Sequence, residues 1–400
     1  MKVNSKAPQS AIPFIWITAT FMINMMGTTL PTPIYRYYQL QYGFTAPMVT
    51  VIYASYALGV LAALLTVGNW SDQLGRRRML FAGLCASALS AIAFIESGGL
   101  AGLLLARLLS GISAGIFTGT ATVTVIELAP PAWRSQATLA AAASNMLGLG
   151  CGPLLSGVLV QTLPDPMLTP YVVHLGLLCF AVAGVWFAPE TAARPDRVNL
   201  RFQRISLPQQ VRDAFVPAAL TGFAGFVVVG FFAAVAPQLI GAELGYRNAV
   251  VIGALVFLVF ACSGVGQVMQ GRLPDRWRQP VGCIALMAGL IAIAACAAER
   301  SLSALLIGTV LAGVGQGIGL RASLAELAAN SPANRRAEVT SSFFVVLYVA
   351  ISLPVIGLGL VVQRLGIERA TLIFAVVTTV IVFSALVLLV RRGSGRPACA

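Results

Sequence analysis

The sequence predicts an all-α membrane protein of twelve transmembrane helices in two pseudo-symmetric six-helix bundles. Hydrophobic residues make up 58% of the 400 residues and charged residues only 10%, whereas about a quarter of a soluble protein is charged. Apolar segments of roughly 20 residues, enough to cross a bilayer, recur along the chain. A basic, glycine-containing motif also occurs once in each half, each time between two such segments.

Twelve apolar segments reach, or nearly reach, the length of a membrane-spanning helix. The first six run from Ile12 to Leu30, Ala46 to Trp70, Met79 to Ile95, Leu100 to Ile126, Ala137 to Gln161 and Leu168 to Ala188. The second six run from Ala214 to Ala236, Ala249 to Gln270, Val281 to Ala298, Leu302 to Leu327, Val339 to Val362 and Ala370 to Val390. They predict an N-terminal bundle of residues 1–188 and a C-terminal bundle of residues 214–400.

Residues 189–213 are expected to form a cytoplasmic linker between the bundles. This stretch contains five arginines and three prolines, a composition typical of a loop. Part of it is expected to lie on the membrane surface as an amphipathic helix.

The distribution of basic residues predicts the orientation in the membrane. The net charge is +13, but lysines and arginines punctuate apolar runs and are not gathered on a polar domain, so nucleic-acid binding is not expected. With both termini in the cytoplasm, 19 of the 26 basic residues fall on that side and five on the other. Because positive residues accumulate in cytoplasmic loops, we expect this orientation, in a bacterial inner membrane.

Corresponding positions in the two halves indicate an internal repeat. The spacing G-x-x-x-D occurs at Gly68 to Asp72 and again at Gly271 to Asp275. An arginine precedes a proline by 19 residues twice, at Arg134 and again at Arg335. Duplicated bundles of this kind are typical of transporters whose substrate site lies between the halves near the middle of the membrane.

The chain resembles the major facilitator superfamily over essentially its whole length. Residues Gly68 to Arg78 are similar to that family's loop signature G-x-x-x-D-x-x-G-R-[RK]. The fourth segment carries Arg107 and Gly111 in a pattern similar to the R-x-x-x-G element of proton-coupled members. The resemblance implies a transporter that exposes a central site alternately to the two sides of the membrane.

The fifth segment carries a second family element. Gly148, Gly152, Pro153 and Gly157 resemble the antiporter element G-x-x-x-G-P-x-x-G-G, with Ser156 in place of one glycine. Proline and glycine predict a bend and a closely packed surface, and the resemblance implies export. The first segment departs from many drug/proton antiporters, because Asn24 stands where an aspartate is common.

Charged residues at the expected inner ends of the helices are predicted to control access to the central site. Gly68 and Gly75 allow close approach and a tight turn, and Asp72 is expected to face a helix N-terminus. Arg76 is expected to pair with Glu127 or Glu190, unless the arginines serve only as topology anchors. The full set of predicted gating residues is Gly68, Asp72, Gly75, Arg76, Glu127, Arg134, Asp275, Glu326 and Arg335.

Six residues are predicted to line the substrate cavity or to couple transport to an ion: Asn24, Arg107, Phe223, Phe226, Gln316 and Arg321. A buried arginine costs about 2.5 to 3.5 kcal/mol in a membrane, so Arg107 should face a wet cavity or a partner, or else extend to the outer surface. Arg321 either faces the cavity or pairs with Glu326 or Glu338. Aromatic residues of the seventh segment either line the cavity or pack elsewhere.

The sequence is compatible with two transport functions. The first is export of small amphipathic molecules coupled to protons, and the alternative is uptake or facilitated passage of a small organic anion. A non-transporting receptor is a third reading. Enzymatic catalysis is not expected, because there is one histidine and no metal-ligand spacing or activated nucleophile. We expect no cofactor and no metal, with a proton gradient as driving force, in a monomer that contacts solute and lipid.

Overall fold

The computed structural model describes residues 10–394 except 68–69, 193–199, 201, 204 and 247. Within this part, twelve helical stretches are long and apolar enough to cross a membrane, which confirms the predicted helical membrane fold. The α-helices are α1 (Ile12–Thr29), α2 (Tyr35–Tyr42), α3 (Ala46–Val67), α4 (Trp70–Leu74), α5 (Arg76–Ile95), α6 (Leu100–Leu128), α7 (Arg134–Thr162), α8 (Thr169–Phe187), α9 (Arg212–Ala234), α10 (Ala236–Ala242), α11 (Ala249–Met269), α12 (Asp275–Glu299), α13 (Leu302–Asn330), α14 (Arg336–Ala350), α15 (Leu353–Leu365) and α16 (Ile367–Ser394).

One predicted segment is interrupted at a proline. The eleventh segment was predicted as one helix, but it divides into α14 and α15, with Pro354 in the first turn of α15. A proline ring fits the first turn of a helix, where its missing N–H is not needed, but disrupts the turn before it. Pro153, its counterpart in the repeat, lies inside α7 without ending that helix.

Glycine pairs bring helices into close contact in both halves. A Cβ atom on Gly111 of α6 would lie 2.1 Å from the carbonyl oxygen of Tyr56 on α3. In the second half, a Cβ atom on Gly317 of α13 would lie 1.9 Å from the carbonyl oxygen of Ser263 on α11. Small residues permit such backbone contact between membrane helices. The α3–α6 and α11–α13 pairs are therefore equivalent, as the repeat predicts.

The two ends of the helices differ in how closely the halves approach each other. We call the end that holds the α3–α5, α6–α7, α11–α12 and α13–α14 connections the basic face, and the other end the opposite face. Near the opposite face, a Cβ atom on Gly253 of α11 would lie 2.2 Å from the carbonyl oxygen of Pro153 on α7, and one on Gly157 would lie 2.4 Å from that of Ala249. This contact, the α7–α11 seam, joins the halves there.

Candidate functional site

A cavity of about 800 Å³ lies between the two halves and reaches the basic face. One wall comes from α1, α3, α6 and α7, and the other from α9, α11, α13 and α14. Asp72 and Arg76 line its rim on the first half, and Arg336 lines it on the second. Because the halves meet at the opposite face, the structure is open toward the face predicted to be cytoplasmic.

Arg107 on α6 is the most deeply buried charged residue in the cavity wall, with 1% of its surface exposed. Its Nη1 donates a hydrogen bond of 2.5 Å to the carbonyl oxygen of Thr28, and its Nη2 donates one of 3.2 Å to that of Tyr53. Its guanidinium carbon lies 4.8 Å from the ring centre of Tyr56 and 5.4 Å from that of Tyr53. Arg107 thus turns inward and does not extend to the surface.

These contacts hold the Arg107 guanidinium in place but do not neutralise its charge. Thr28 lies in the last turn of α1, where carbonyl groups lack helical partners and a cation is favoured. Cation–π contacts with Tyr53 and Tyr56 add about 0.5 to 2 kcal/mol each. Among the described side chains, no carboxylate lies within 4.0 Å of Arg107. The deep part of the cavity therefore carries an uncompensated positive charge.

The opposite wall adds amides and a second arginine. Ser263 donates a hydrogen bond of 2.5 Å to Oε1 of Gln316, which lines the cavity together with Phe226. Arg321 also lines the cavity, and its Nη1 donates a hydrogen bond of 2.9 Å to the carbonyl oxygen of Gln267. The predicted alternative for Arg321, a pair with Glu326 or Glu338, is not formed.

Two residues predicted for the cavity lie elsewhere. Asn24 is fully buried within the first half, where its Oδ1 accepts a hydrogen bond of 3.0 Å from Ser113. Phe223 packs against the hydrophobic core and is not part of the cavity wall. Neither residue lines the cavity, although Thr28, four residues after Asn24, and Phe226, three residues after Phe223, do. A role of either residue in coupling transport to an ion stays a prediction.

Buried Arg76 organises the rim on the first half. It forms ion pairs with Asp72 at 2.5 Å and with Glu127 at 3.1 Å, and its Nη1 donates a hydrogen bond of 2.6 Å to Ser71. The hydroxyl of Thr191 donates to the other carboxylate oxygen of Glu127. This set, Ser71, Asp72, Arg76, Glu127 and Thr191, is the rim cluster, and it contains the ion pair that the sequence predicted between Arg76 and Glu127.

Glu190, and not Asp72, occupies the N-terminus of α5. Its carboxylate accepts hydrogen bonds from the backbone N–H of Arg76 at 2.8 Å and of Arg77 at 3.3 Å. These N–H groups have no partner within the helix, so a carboxylate there is favoured. Gly75, just before the helix, has a φ of +103°, a conformation that suits glycine. Asp72 remains 65% exposed and faces the rim.

The other predicted gating residues are arranged differently in the second half. Asp275 pairs with Arg278 of its own helix at 2.7 Å and does not line the cavity. Glu326 pairs with Arg392 near the end of α16, a partner that the sequence did not indicate. Arg134 and Arg335 are exposed and form no ion pair among the described side chains. Gly68 lies outside the described residues.

The predicted antiporter residues pack between two helices. A Cβ atom on Gly148 would lie 2.6 Å from the carbonyl oxygen of Met22 on α1, and one on Gly152 would lie 2.3 Å from that of Met26. Pro153 and Gly157 lie in the α7–α11 seam. Gly148 and Gly152 thus hold α7 against α1 within the first half, whereas Pro153 and Gly157 connect the first half to the second near the opposite face.

Comparison with known proteins decides the family. The sequence model of the Major Facilitator Superfamily matches residues 17–298, well over half of the chain. The chain belongs to the major facilitator superfamily. It is therefore a multi-pass membrane transporter and not an enzyme.

Individual relatives of this superfamily member are distant. It is 21% identical over 379 residues to an MFS-type transporter of Methanocaldococcus jannaschii without a named substrate, and the match covers 92% of this chain and 96% of that protein. It is 28% identical over 148 residues to the Salmonella typhi protein MdtD, whose name assigns it provisionally to multidrug resistance. That second match covers 37% of this chain and only 32% of MdtD.

Solved structures share the fold over nearly the full chain. A bacterial homologue of the human lysosomal transporter Spinster, in an inward-facing and unoccupied conformation, has a TM-score of 0.76 at 14% identity, and the match covers 99% of this chain and 100% of that one. The human organic anion transporter MFSD10 has a TM-score of 0.67 at 18% identity, covering 96% of this chain and 99% of that one.

The linker of this superfamily member is bonded to both halves at the basic face. The backbone N–H of Gln203 donates a hydrogen bond of 2.7 Å to the carbonyl oxygen of Leu65 on α3, and that of Ser206 donates one of 3.2 Å to the hydroxyl of Ser342 on α14. Gln203 also lines the cavity. The described residues 200, 202–203 and 205–208 are not helical, so the expected amphipathic helix does not include them.

Several cavity residues were not singled out from the sequence of this transporter. They are Tyr53 and Tyr56 on α3, Asn145 on α7, Gln267 on α11 and Arg336 on α14. One usable signal was the pair of tyrosines three residues apart in an otherwise apolar helix, since such residues share a helix face. Asn145 and Gln267 do not belong to such an aromatic pair, so their spacing did not indicate a cavity position.

Replacing Asp72 with asparagine is expected to reduce transport strongly while leaving the transporter folded. The carboxylate of Asp72 is mostly exposed, and surface ion pairs contribute little to stability, so the fold should not depend on it. Transport should depend on it, because Asp72 lies on the rim, where the two halves must meet when the basic face closes. Flux in proteoliposomes and the melting temperature should be measured together. The control is Asp275→Asn, because Asp275 does not line the cavity; this variant should retain wild-type flux. Wild-type flux in Asp72→Asn would contradict the gating role of Asp72.

Proposed function

We propose that this transporter moves small amphipathic organic anions across the membrane by alternating access. The observation that carries the proposal is the charge of the cavity: Arg107, Arg321 and Arg336 line it without an ion-pair partner among the described residues, while the rim arginine Arg76 is already paired. A solute that supplies a negative charge offsets the cost of keeping the guanidinium groups of Arg107 and Arg321 in the membrane.

The remaining lining explains why the anion should be amphipathic. Phe226, Phe260, Phe344 and Tyr348 contribute aromatic surface, next to the amide of Gln316. Sites that bind small organic molecules combine mainly apolar and aromatic walls with a few placed polar groups. A molecule with one or two rings and a sulfonate or carboxylate group fits both parts of this lining.

For an anion, export needs no carboxylate inside the membrane. All thirteen acidic residues of the sequence lie outside the central parts of the twelve segments, so an obvious proton carrier is missing there. Moving one negative charge out of a cell that is negative inside releases about 2.3 kcal/mol per 100 mV. We therefore propose export driven by the membrane potential. Three observations support it: the absence of acidic residues from the central parts of the segments, the antiporter-like residues of α7, and the partial similarity to MdtD.

A flux assay in proteoliposomes tests the substrate class and the driving force. The probe is 4-(trifluoromethyl)benzenesulfonate, which stays ionised at neutral pH, and the matched control is the neutral 4-(trifluoromethyl)benzenesulfonamide. Potassium gradients with valinomycin set the potential, and a pH gradient is imposed separately. We expect efflux of the sulfonate to rise when the lumen is negative and to respond little to the pH gradient.

Two outcomes of this assay would overturn parts of the proposal. Protein-dependent flux of the sulfonamide without flux of the sulfonate would exclude anions as the substrate class. Sulfonate flux that follows the pH gradient and ignores the potential would replace the proposed driving force with proton coupling.

A further inference from the structure

We infer that the cavity contains two separate anion-binding stations, a deep one at Arg107 and a second one at Arg321 near the mouth, which a small anion occupies in succession. This inference rests on the proposed function. It assigns to Arg321 and its surroundings a binding role distinct from that of Arg107.

The depths of the two arginines separate the stations. Helices α6 and α13 both begin at the opposite face and both have 29 residues. Arg107 follows the first residue of α6 by seven positions, and Arg321 follows that of α13 by nineteen. At 1.5 Å per residue, they lie about 10 Å and about 28 Å along their helices, a difference of about 18 Å. One small, single-ring anion cannot contact both at once.

The surroundings of Arg321 form a site with spare hydrogen-bond donors. One of its five N–H groups is used by the carbonyl oxygen of Gln267. The side-chain Nε2 of Gln267 is buried and has no hydrogen-bond partner among the described atoms, although the residue lines the cavity. An unpaired buried donor costs free energy until a partner arrives. An anion beside Arg321 would provide that partner.

Among the described side chains, no carboxylate forms an ion pair with Arg321, and the rim carboxylate Asp72 is already paired with Arg76. Glu326, five residues after Arg321, is paired with Arg392, and Glu338 is not part of the cavity wall. Arg336 and Thr340 line the cavity on α14, and their spacing of four residues places them on the same side of that helix. The mouth station is therefore positive and polar.

The deep station differs in chemistry. Arg107 is flanked by the rings of Tyr53 and Tyr56, and it is almost fully buried. A ring of the solute can pack there, whereas the more exposed surroundings of Arg321 suit a solvated anion. We expect the deep station to bind more tightly and the mouth station to exchange its anion faster.

Fluorine NMR of the purified full-length transporter in nanodiscs tests for two stations. With 4-(trifluoromethyl)benzenesulfonate as probe, we expect two bound signals and a stoichiometry of two. The variant Arg321→Gln should remove one signal and Arg107→Gln the other. Arg364→Gln, on the opposite face, is the control and should change neither. The neutral sulfonamide reports partition into lipid and should give neither signal.

A second variant and a distance measurement keep the test independent of folding defects. Gln267→Met retains the backbone carbonyl that Arg321 uses but removes the unpaired donor, and it should weaken binding at the mouth station at least threefold. In a variant without native cysteines, a nitroxide attached through Arg335→Cys, which is exposed just before α14, should broaden the signal that depends on Arg321 much more than the other.

Failure of the second station and failure of the proposed function would give different NMR results. A single bound signal that is lost in Arg107→Gln and unchanged in Arg321→Gln and Gln267→Met would overturn the second station while leaving the proposed function intact. A single signal lost in both arginine variants would show one shared site and also overturn it. Equal signals from the sulfonate and the sulfonamide would overturn the proposed function itself.

Discussion

Replacing Arg107 with glutamine is expected to weaken anion binding and to slow transport by about 10- to 100-fold. A hydrogen bond to a charged group contributes about 1.5 to 3 kcal/mol, and each 1.4 kcal/mol is a factor of ten in affinity. Arg107 is the only arginine that the structure places deep in the cavity among the described residues, so no neighbour replaces its charge. Binding of the sulfonate probe and flux in proteoliposomes measure the effect.

A lysine variant separates the charge of Arg107 from its role in packing. The guanidinium also binds the carbonyl oxygens of Thr28 and Tyr53, so its removal lowers stability as well. Arg107→Lys keeps the charge but not the planar fork of donors, and we expect it to retain part of the anion affinity. If Arg107→Gln lowered only the melting temperature and left probe affinity and flux unchanged, the deep anion site would be wrong.

Replacing Gly253 with alanine is expected to reduce transport strongly. The added Cβ atom would lie 2.2 Å from the carbonyl oxygen of Pro153 across the α7–α11 seam, and a backbone carbonyl cannot rotate away as a side chain does. Overpacking typically costs about 1 to 3 kcal/mol, which disfavours the closed seam by about 5- to 150-fold. We expect transport to fall accordingly, because the conformation open to the basic face becomes rare.

The same helix provides a matched control. A Cβ atom on Gly264 of α11 would meet only Cβ of Met146, at 3.8 Å, which is an ordinary contact. Gly264→Ala should therefore transport like the unmodified protein. Equal flux in Gly253→Ala and Gly264→Ala would show that the α7–α11 seam opens and closes without close packing at Gly253.

The sequence predicted the fold better than the site, because the lipid bilayer determines the length and hydropathy of the helices but not which side of each helix faces the cavity. Length and hydropathy identify membrane helices because the bilayer thickness fixes both. The direction of a side chain around its helix is harder to predict, because lipid and protein interior are equally apolar and a hydrophobic face does not mark the buried side. Asn24 and Phe223 are examples: neither lines the cavity, although Thr28 and Phe226 of the same helices do.

Charge placement was predictable where it depended on local sequence. Arg107 and Arg321 stood out because arginines inside apolar segments are costly, and the structure places both in the cavity wall. The pair of Glu326 with Arg392 joins residues 66 positions apart, and no spacing rule links them. Likewise, the capping of α5 by Glu190 depends on how the end of α8 returns to the rim.

Distance measurements between spin labels on the two halves test whether the cavity opens to the two faces in alternation. In a variant without native cysteines, one pair of labels replaces exposed Trp133 and Trp277 at the basic face, and another replaces exposed Leu40 and Tyr246 at the opposite face. In lipid, with and without the sulfonate probe, we expect two populations in which one distance shortens as the other lengthens. We also expect Gly253→Ala to shift the balance toward the longer opposite-face distance. A single unchanging distance for both pairs, or distances that lengthen together, would contradict alternating access through this cavity.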